Sequence, residues 1–251
     1  MCKNCGCSAK TTLEHVSVTK PLLERNDAQA RHNREHFDEH GVLAINLMSA
    51  PGSGKTRLLE TTVCALREEL PCAVIEGDLE TDNDAARIRR HGVPAIQITT
   101  GSACHLDAHM VHHALHEIEL HGLRLLFIEN VGNLVCPASF ALGAHYDVVL
   151  LSVTEGDDKP AKYPVMFREA DVVLVTKTDM LGVIDDFEIE NVTRHLRELG
   201  NPAPVLALSA RTGTGVEAWL DWIRTLSATR ARSVESAAMG KKHEHHDLHS
   251  R

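Results

Sequence analysis

The sequence lacks a long apolar run and is short of positive charge. No stretch approaches the roughly 20 apolar residues that a membrane-spanning helix requires. The 251 residues carry 26 Lys and Arg against 35 Asp and Glu, a formal net charge of −9. This balance argues against nucleic acid or an anionic membrane as the main partner. The first five residues contain no apolar signal segment, so we expect a cytoplasmic protein whose seven cysteines are thiols or metal ligands.

A Gly-rich turn follows the first predicted strand, Val42 to Met48. The turn reads Ser-Ala-Pro-Gly-Ser-Gly-Lys-Thr and opens a helix, which is the order of a phosphate-binding loop. Its glycines let backbone N–H groups point inward, and the helix N-terminus adds partial positive charge. The lysine supplies a full charge for the β- and γ-phosphates, and the threonine hydroxyl can bind Mg²⁺. The predicted phosphate-site residues are Gly52, Ser53, Gly54, Lys55, Thr56 and Arg57.

The fold class follows from the alternation of strand-length apolar runs with helical patterns. Several of the runs, such as Val172 to Val175, are continuously apolar and do not alternate with polar residues. Such strands are typical of a parallel sheet that is covered on both faces. The sequence therefore predicts an α/β fold, a three-layer P-loop NTPase domain with a mainly parallel sheet. We find no internal repeat.

Two carboxylates end predicted strands at the edge where parallel sheets bind ligands. Asp78 ends the second strand, and Glu129 ends the strand Leu125 to Ile128. Together with Lys55 and Thr56 they form the predicted catalytic group, in which Thr56, Asp78 and Glu129 organise Mg²⁺. The alternative, that each carboxylate only caps the next turn, stays open. The sequence shows no obvious Gln or Arg that would activate water, so we expect slow hydrolysis.

The base-recognition pattern lies in the second half of the chain. Thr176-Lys177-Thr178-Asp179 matches the guanine motif Asn-Lys-x-Asp except at its first position. A carboxylate at Asp179 can accept hydrogen bonds from the guanine N1 and exocyclic amine, a pair of donors that adenine does not offer. The Lys177 stem can stack over the base. With a second predicted loop, these matches favour GTP and GDP over ATP; that loop is Ser209, Ala210 and Arg211.

Two cysteine-containing groups have the composition of metal sites. The first is Cys2, Cys5 and Cys7, three thiols within six residues that one turn can bring onto one ion. The second is Cys104 and His105 with Cys136, which lies seven residues beyond Glu129. Loops of a parallel sheet can bring these three residues together close to the nucleotide.

Several strings of the sequence resemble the hydrogenase nickel-incorporation GTPase family, HypB. They are the N-terminal Cys-x-x-Cys-Gly-Cys, the phosphate loop, Glu-Gly-Asp around Asp78, Gly-x-x-Cys-His at 101–105, and Glu-Asn-Val-Gly-Asn-Leu-Val-Cys-Pro from Glu129. The resemblance covers nearly the whole chain. It implies a GTPase that forms a GTP-dependent homodimer and delivers nickel to the [NiFe] hydrogenase large subunit precursor, with a HypA-type accessory protein as partner.

Residue by residue, the resemblance makes Cys2, Cys5 and Cys7 a tight nickel site. It makes Cys104, His105 and Cys136 a G-domain site for nickel or zinc that is shared across the dimer. Two alternatives stay open. One is another metal-insertion GTPase, such as the urease accessory type, and the other is a nickel storage or buffering protein.

The expected organisation has four parts. Residues 1–20 form a Cys-rich metal-binding segment, 21–40 a charged helix or linker, 41–228 the P-loop GTPase domain and 229–251 a His-containing disordered tail. The two remaining cysteines, Cys64 and Cys72, have apolar sequence neighbours and are predicted to be buried in the hydrophobic core.

Histidine placement suggests further chelating positions. His105, His109, His112 and His116 form a predicted helical stripe, and His32 and His36 are four residues apart. For the stripe, a solvated polar helix face is the favoured interpretation, and an exposed charged helix accounts for His32 and His36 equally well.

Overall fold

The computed structural model describes residues 11–80 and 82–247, and the side chains of residues 21–80 and 82–232. The strands are β1 Leu43–Ser49, β2 Cys72–Asp78, β3 Ala95–Thr99, β4 Leu125–Glu129, β5 Tyr146–Ser152, β6 Val172–Thr176 and β7 Val205–Ala207. The helices are α1 Thr11–Glu39, α2 Lys55–Leu66, α3 Asn83–Arg89, α4 Ala108–Leu115, α5 Lys159–Lys162, α6 Pro164–Arg168, α7 Ile189–Glu198 and α8 Val216–Asp247. No helix in this part of the chain is long and apolar enough to cross a membrane.

The seven strands form one sheet in the order β3-β2-β4-β1-β5-β6-β7, and every neighbouring pair is parallel. All residues of β1, β4 and β6 are buried, as the continuously apolar runs predicted. The predicted mainly parallel α/β sheet is thus confirmed. The order places β1 between β4 and β5, so the turns after β1, β2 and β4 leave the same sheet edge side by side.

The few aromatic residues sit at the centre of the packing between sheet and helices. Trp219 of α8 is fully buried against one face, and its indole Nε1 donates to the Thr62 hydroxyl of α2 at 2.9 Å. Phe37 of α1 is fully buried with the opposite face, where it packs with α4 and β4 side chains. The two large helices that carry the ends of the described chain therefore cover the sheet on its two sides.

Helix α1 is fastened to the rest of the domain by two buried asparagines. Asn33 Nδ2 donates to the carbonyls of Ala108 and Leu142 at 2.8 and 3.1 Å. The Ala108 N–H donates to Asn26 Oδ1 at 2.9 Å. Because both asparagines bond the first residue of α4, the axial register between α1 and α4 is fixed.

Several predicted helix limits were wrong. The apolar positions of residues 106–120 predict one helix over that range, but α4 begins only at Ala108, because Asp107 caps it by accepting from the Met110 N–H at 2.8 Å. The sequence pattern predicts a last helix that ends at Leu226, but α8 continues to Asp247, through most of the segment 229–251 that was predicted to be a disordered tail. No proline follows 226, and Arg230 fixes the helix to α1 by donating to Asp38 Oδ1 at 2.7 Å. The four-part division of the chain stays a prediction.

The two cysteines predicted to lie in the core differ in solvent exposure. Cys72 on β2 is buried, as predicted. Cys64 is exposed, so that prediction was wrong. Its apolar sequence neighbours misled the prediction, because consecutive residues of a helix point about 100° apart and the buried stripe of α2 passes through Val63 instead.

Candidate nucleotide and metal site

The phosphate loop joins β1 to α2 in the expected conformation. Gly52 and Gly54 have φ angles of +76° and +93°, in the left-handed region that favours glycine. Gly54 caps α2, so the N-terminal N–H groups of that helix open into the loop. The buried Lys55 ammonium donates to the Ser49 hydroxyl at 3.0 Å. Ser49, which stands where the motif usually has its first glycine, thus holds the lysine along the loop.

Thr56 and Glu129 meet beside the loop. The Thr56 hydroxyl donates to Glu129 Oε1 at 2.9 Å, and both residues are buried. Burial raises the pKa of the Glu129 carboxyl, while the nearby Lys55 ammonium lowers it. The structure therefore brings Lys55, Thr56 and Glu129 together, and Asp78, the fourth residue predicted for this group, lines the same cavity.

A second buried carboxylate, Glu76, was missed by the sequence reasoning. It lies opposite Glu129 in the β2–β4 register. Burial and the Glu129 charge raise the pKa of Glu76. The signal was available, because Glu76 lies two residues before Asp78 on a strand and therefore on the same face.

The carboxylates line a cavity of about 390 Å³ at the carboxyl ends of β1, β2 and β4. Within the described residues, Glu76 Oε2 and Glu129 Oε2 are buried and have no hydrogen-bond partner. Carboxylate oxygens and a hydroxyl are the donors that Mg²⁺ prefers, so this set fits the ion. The lining includes Gly52, Gly54, Lys55, Thr56, Arg57, Glu76, Asp78, Asp84, Arg87 and Glu129.

An adjoining cavity of about 340 Å³ contains the residues predicted to recognise the base. Asp179 Oδ1 accepts from the Ser209 hydroxyl at 2.6 Å, and this bond holds the pKa of Asp179 below its usual range. Arg211 Nε lies 3.5 Å from the other carboxylate oxygen. The lining is Ser53, Gly54, Arg57, Leu58, Thr176, Lys177, Asp179, Met180, Leu208, Ser209, Ala210 and Arg211.

Thr176, the departure from the guanine motif, contacts the phosphate loop. Its hydroxyl donates to the Ser53 carbonyl at 2.7 Å, and the side chain is buried. Lys177 follows with a φ of +57°, the one positive φ of a non-glycine among the described residues. The threonine thus joins the base cavity to the phosphate loop.

Cys104, His105 and Cys136 also come together. Their ligand atoms lie within 4.8 Å of one another, and Cys104 Sγ is 2.7 Å from Cys136 Sγ. The contact with Cys104 raises the pKa of the Cys136 thiol. Burial lowers the pKa of His105, which favours the neutral imidazole, and the ring centroid lies 4.0 Å from that of Phe140. Two thiols and a neutral imidazole suit nickel or zinc.

Two contacts join this metal centre to the nucleotide cavities. Asn130, which follows Glu129, accepts the Leu106 N–H at 3.1 Å through its fully buried Oδ1. Gly132 packs directly against the phosphate loop. A Cβ at position 132 would lie 2.8 Å from Pro51 Cα, which is too close for any side chain. Neither residue was singled out from the sequence, since their contacts depend on how the loops pack.

The predicted N-terminal metal ligands Cys2, Cys5 and Cys7 lie outside the described residues. The predicted stripe His105, His109, His112 and His116 is not continuous, because His105 precedes α4. The His105 ring packs against the ring of Phe140.

Fold and site define a P-loop nucleotide-binding protein with a cluster of two cysteines and a histidine, able to hold a metal ion, near its phosphate loop. Residues 43–207 match the family model "CobW/HypB/UreG, nucleotide-binding domain". The chain is 51% identical over 218 residues to hydrogenase maturation factor HypB of Azotobacter vinelandii, covering 87% of this chain and 72% of that protein. It is 48% identical over 220 residues to HypB of Escherichia coli K12, with 88% and 74% coverage. The chain therefore belongs to the HypB branch of the CobW/HypB/UreG family.

Solved structures agree with this assignment. A crystal structure of HypB from Helicobacter pylori in complex with nickel matches with a TM-score of 0.78 and 41% identity, covering 82% of this chain and 96% of that one. The HypB structure from Archaeoglobus fulgidus matches with a TM-score of 0.75 and 40% identity, covering 81% and 99%.

Proposed function

We propose that this chain is a Mg²⁺-dependent GTPase that binds nickel and delivers it during maturation of [NiFe] hydrogenase. GTP binding and hydrolysis gate its dimerisation and its release of metal. The observation that carries the proposal is the Asn130–Leu106 hydrogen bond, which joins the strand end at Glu129 to the loop of Cys104 and His105.

In this proposal the nucleotide occupies both cavities. Lys55 and the loop N–H groups hold the phosphates, while Asp179 reads the guanine edge and Lys177 covers the base. Thr56, Glu129 and Asp78 hold Mg²⁺, and the unpartnered oxygen of Glu76 completes the acidic wall. The ion supplies charge neutralisation for the phosphates when bound. Arg87 lines the phosphate cavity but is paired with Glu60 and Asp84, which supports slow hydrolysis.

The cargo site is Cys104, His105 and Cys136, which binds nickel or zinc. A HypB from Helicobacter pylori was crystallised in complex with nickel, and the ligand chemistry of this chain suits that metal. A γ-phosphate that shifts the segment from Glu129 to Cys136 by about an ångström would spoil metal–sulfur ligation, whose distances tolerate about 0.2 Å. Metal at this site would in turn change nucleotide affinity by the same factor.

The GTP-bound form is proposed to be a homodimer. Leu79 and Val135 are exposed apolar residues, 44% and 62% accessible, that directly adjoin Asp78 and Cys136. A second copy of this chain that covers Leu79 and Val135 would bring its own Cys104, His105 and Cys136 close to those of the first copy. The proposed recipients and partners are the hydrogenase large subunit precursor and a HypA-type accessory protein, in the cytoplasm.

The test is a nickel and zinc titration of the Cys2→Ser, Cys5→Ser, Cys7→Ser variant, with GDP and then with a non-hydrolysable GTP analogue. We expect the metal affinities with GDP and with the GTP analogue to differ by about tenfold or more, which corresponds to about 1.4 kcal/mol of coupling free energy. Sedimentation should show a larger dimer fraction with the GTP analogue. Adding Lys55→Ala should remove both differences, and Lys162→Ala, an exposed lysine paired with Asp158, should leave them. Equal affinities in the two nucleotide states would refute the gating.

A further inference from the structure

Four histidines meet where α1 packs against α4. His32 and His36 lie one turn apart on α1, while His112 and His116 lie one turn apart at the end of α4. The His112 ring is central: its centroid lies 5.1 Å from that of His32, 5.9 Å from that of His36 and 4.8 Å from that of His116. The His32 and His36 centroids are 4.9 Å apart.

These spacings suit imidazoles that share one ion. A metal–nitrogen distance of about 2.0–2.1 Å places each ring centre about 3.2 Å from the ion, so two rings on a tetrahedral ion have centres about 5 Å apart. Four of the six ring pairs lie around this value. Ring rotation has to bring the nitrogens together, since among the described residues Cys104, His105 and Cys136 are the group whose ligand atoms already lie within 4.8 Å of one another. The final side-chain torsion of histidine is broad, so rotation of each ring can select the nitrogen that faces the ion.

The backbone that carries the four rings is fixed. Asn33, the neighbour of His32, is fully buried and donates to the Ala108 carbonyl at 2.8 Å. Asn26 accepts the Ala108 N–H at 2.9 Å. Because these bonds set the register of α1 against α4, the two histidine pairs are held opposite each other without a bound ion having to move a helix.

His112 has the chemistry of a ligand that lacks its partner. Its Nδ1 is buried and makes no hydrogen bond within the described residues. An imidazole nitrogen that has no hydrogen-bond partner can offer its lone pair to a metal ion. The exposed Glu35 carboxylate lies 3.8 Å from His32 Nδ1.

We propose that His32, His36, His112 and His116 form a second divalent metal site, separate from Cys104, His105 and Cys136. Imidazole ligands suit Ni²⁺ and Zn²⁺. With uncharged ligands and no thiolate, the site binds its ion without displacing thiol protons and releases it more readily than a cysteine centre. The site does not depend on the proposed GTPase cycle.

The test uses the full chain with Ser in place of Cys2, Cys5, Cys7, Cys104 and Cys136, which removes the thiol sites. Ni²⁺ alone, and Zn²⁺ alone, are titrated into this parent and into the parent carrying His36→Gln with His112→Gln. The matched control carries His109→Gln with His121→Gln, two exposed histidines of the same region. The C-terminal histidines remain in all three proteins, so their contribution cancels.

We expect the parent and the control to bind one ion more per chain than the His36→Gln, His112→Gln protein. The single variants His36→Gln and His112→Gln should each weaken that same ion at least about tenfold, since even outer ligand partners matter by that much. Equal melting curves of the metal-free proteins exclude a folding defect as the cause. Unchanged binding in the double variant, or an equal loss in the control, would overturn the site.

Discussion

Asn130 accepts the backbone N–H of Leu106 at 3.1 Å, and by this bond the residue after Glu129 holds the residue after His105. The same oxygen accepts the Val131 N–H at 3.0 Å. One side chain thus joins the strand end at the phosphate-loop cavity to the loop that carries Cys104 and His105, two of the proposed metal ligands. We infer that a movement of the strand end at Glu129 is transmitted to the loop of Cys104 and His105, and the reverse.

Asn130→Ala should uncouple the two sites. We expect the ratio of metal affinities with the GTP analogue and with GDP to fall to about one. The matched control is Asn201→Ala, because Asn201 is equally buried and bonds Phe167 and Ala170, away from both sites. Both variants should lose about 1–3 kcal/mol of unfolding free energy through unsatisfied buried groups. A normal ratio in Asn130→Ala would show that coupling takes another path.

Asp179→Asn should change base preference. The carboxamide can donate to the carbonyl that xanthine has where guanine has its amine, so we expect weaker GTP binding and improved binding of xanthosine triphosphate. The discrimination should move by about a hundredfold or more, since a site with unpaired polar groups rejects a ligand strongly. Competition against a fluorescent nucleotide measures it, with the exposed Asp185→Asn as control. An unchanged preference would remove Asp179 from base recognition.

Metal binding at Cys104, His105 and Cys136 should strengthen as pH rises. Both thiols must lose protons, and the raised pKa of Cys136 keeps its proton on at neutral pH. His105 has a lowered pKa and brings no proton to displace above about pH 7. Between pH 7 and 8, log affinity for zinc should rise with a slope near two, and Cys136→Ser should reduce the slope to near one. A pH-independent affinity would contradict thiolate ligation.

The N-terminal thiols should form an independent nickel site. Cys2→Ser, Cys5→Ser, Cys7→Ser should lose tight nickel binding, since three soft donors are removed together, and should keep full GTP turnover. Cys64→Ser, which removes an exposed thiol elsewhere, serves as the control. Tight stoichiometric nickel in the triple variant would place that site in the G domain instead.

The sequence predicted the features that follow from local rules. Apolar runs located β1, β4 and β6, and fixed motif spacing predicted that Lys55, Thr56 and Asp179 line the cavities. The failures come from packing between distant segments. Nothing near Asn130 indicates that it bonds Leu106, and nothing in either histidine pair indicates that α1 and α4 place them face to face.

The bond from the Thr176 hydroxyl to the Ser53 carbonyl has a consequence for binding thermodynamics. This bond orders the phosphate loop against the base cavity when the chain folds. The loop therefore loses its conformational entropy on folding and not when the nucleotide binds. A ligand that meets a rigid, correctly shaped loop keeps more of its interaction energy as affinity. GDP should therefore bind this chain with a small unfavourable ordering entropy, and Thr176→Val should make that entropy more unfavourable in calorimetry.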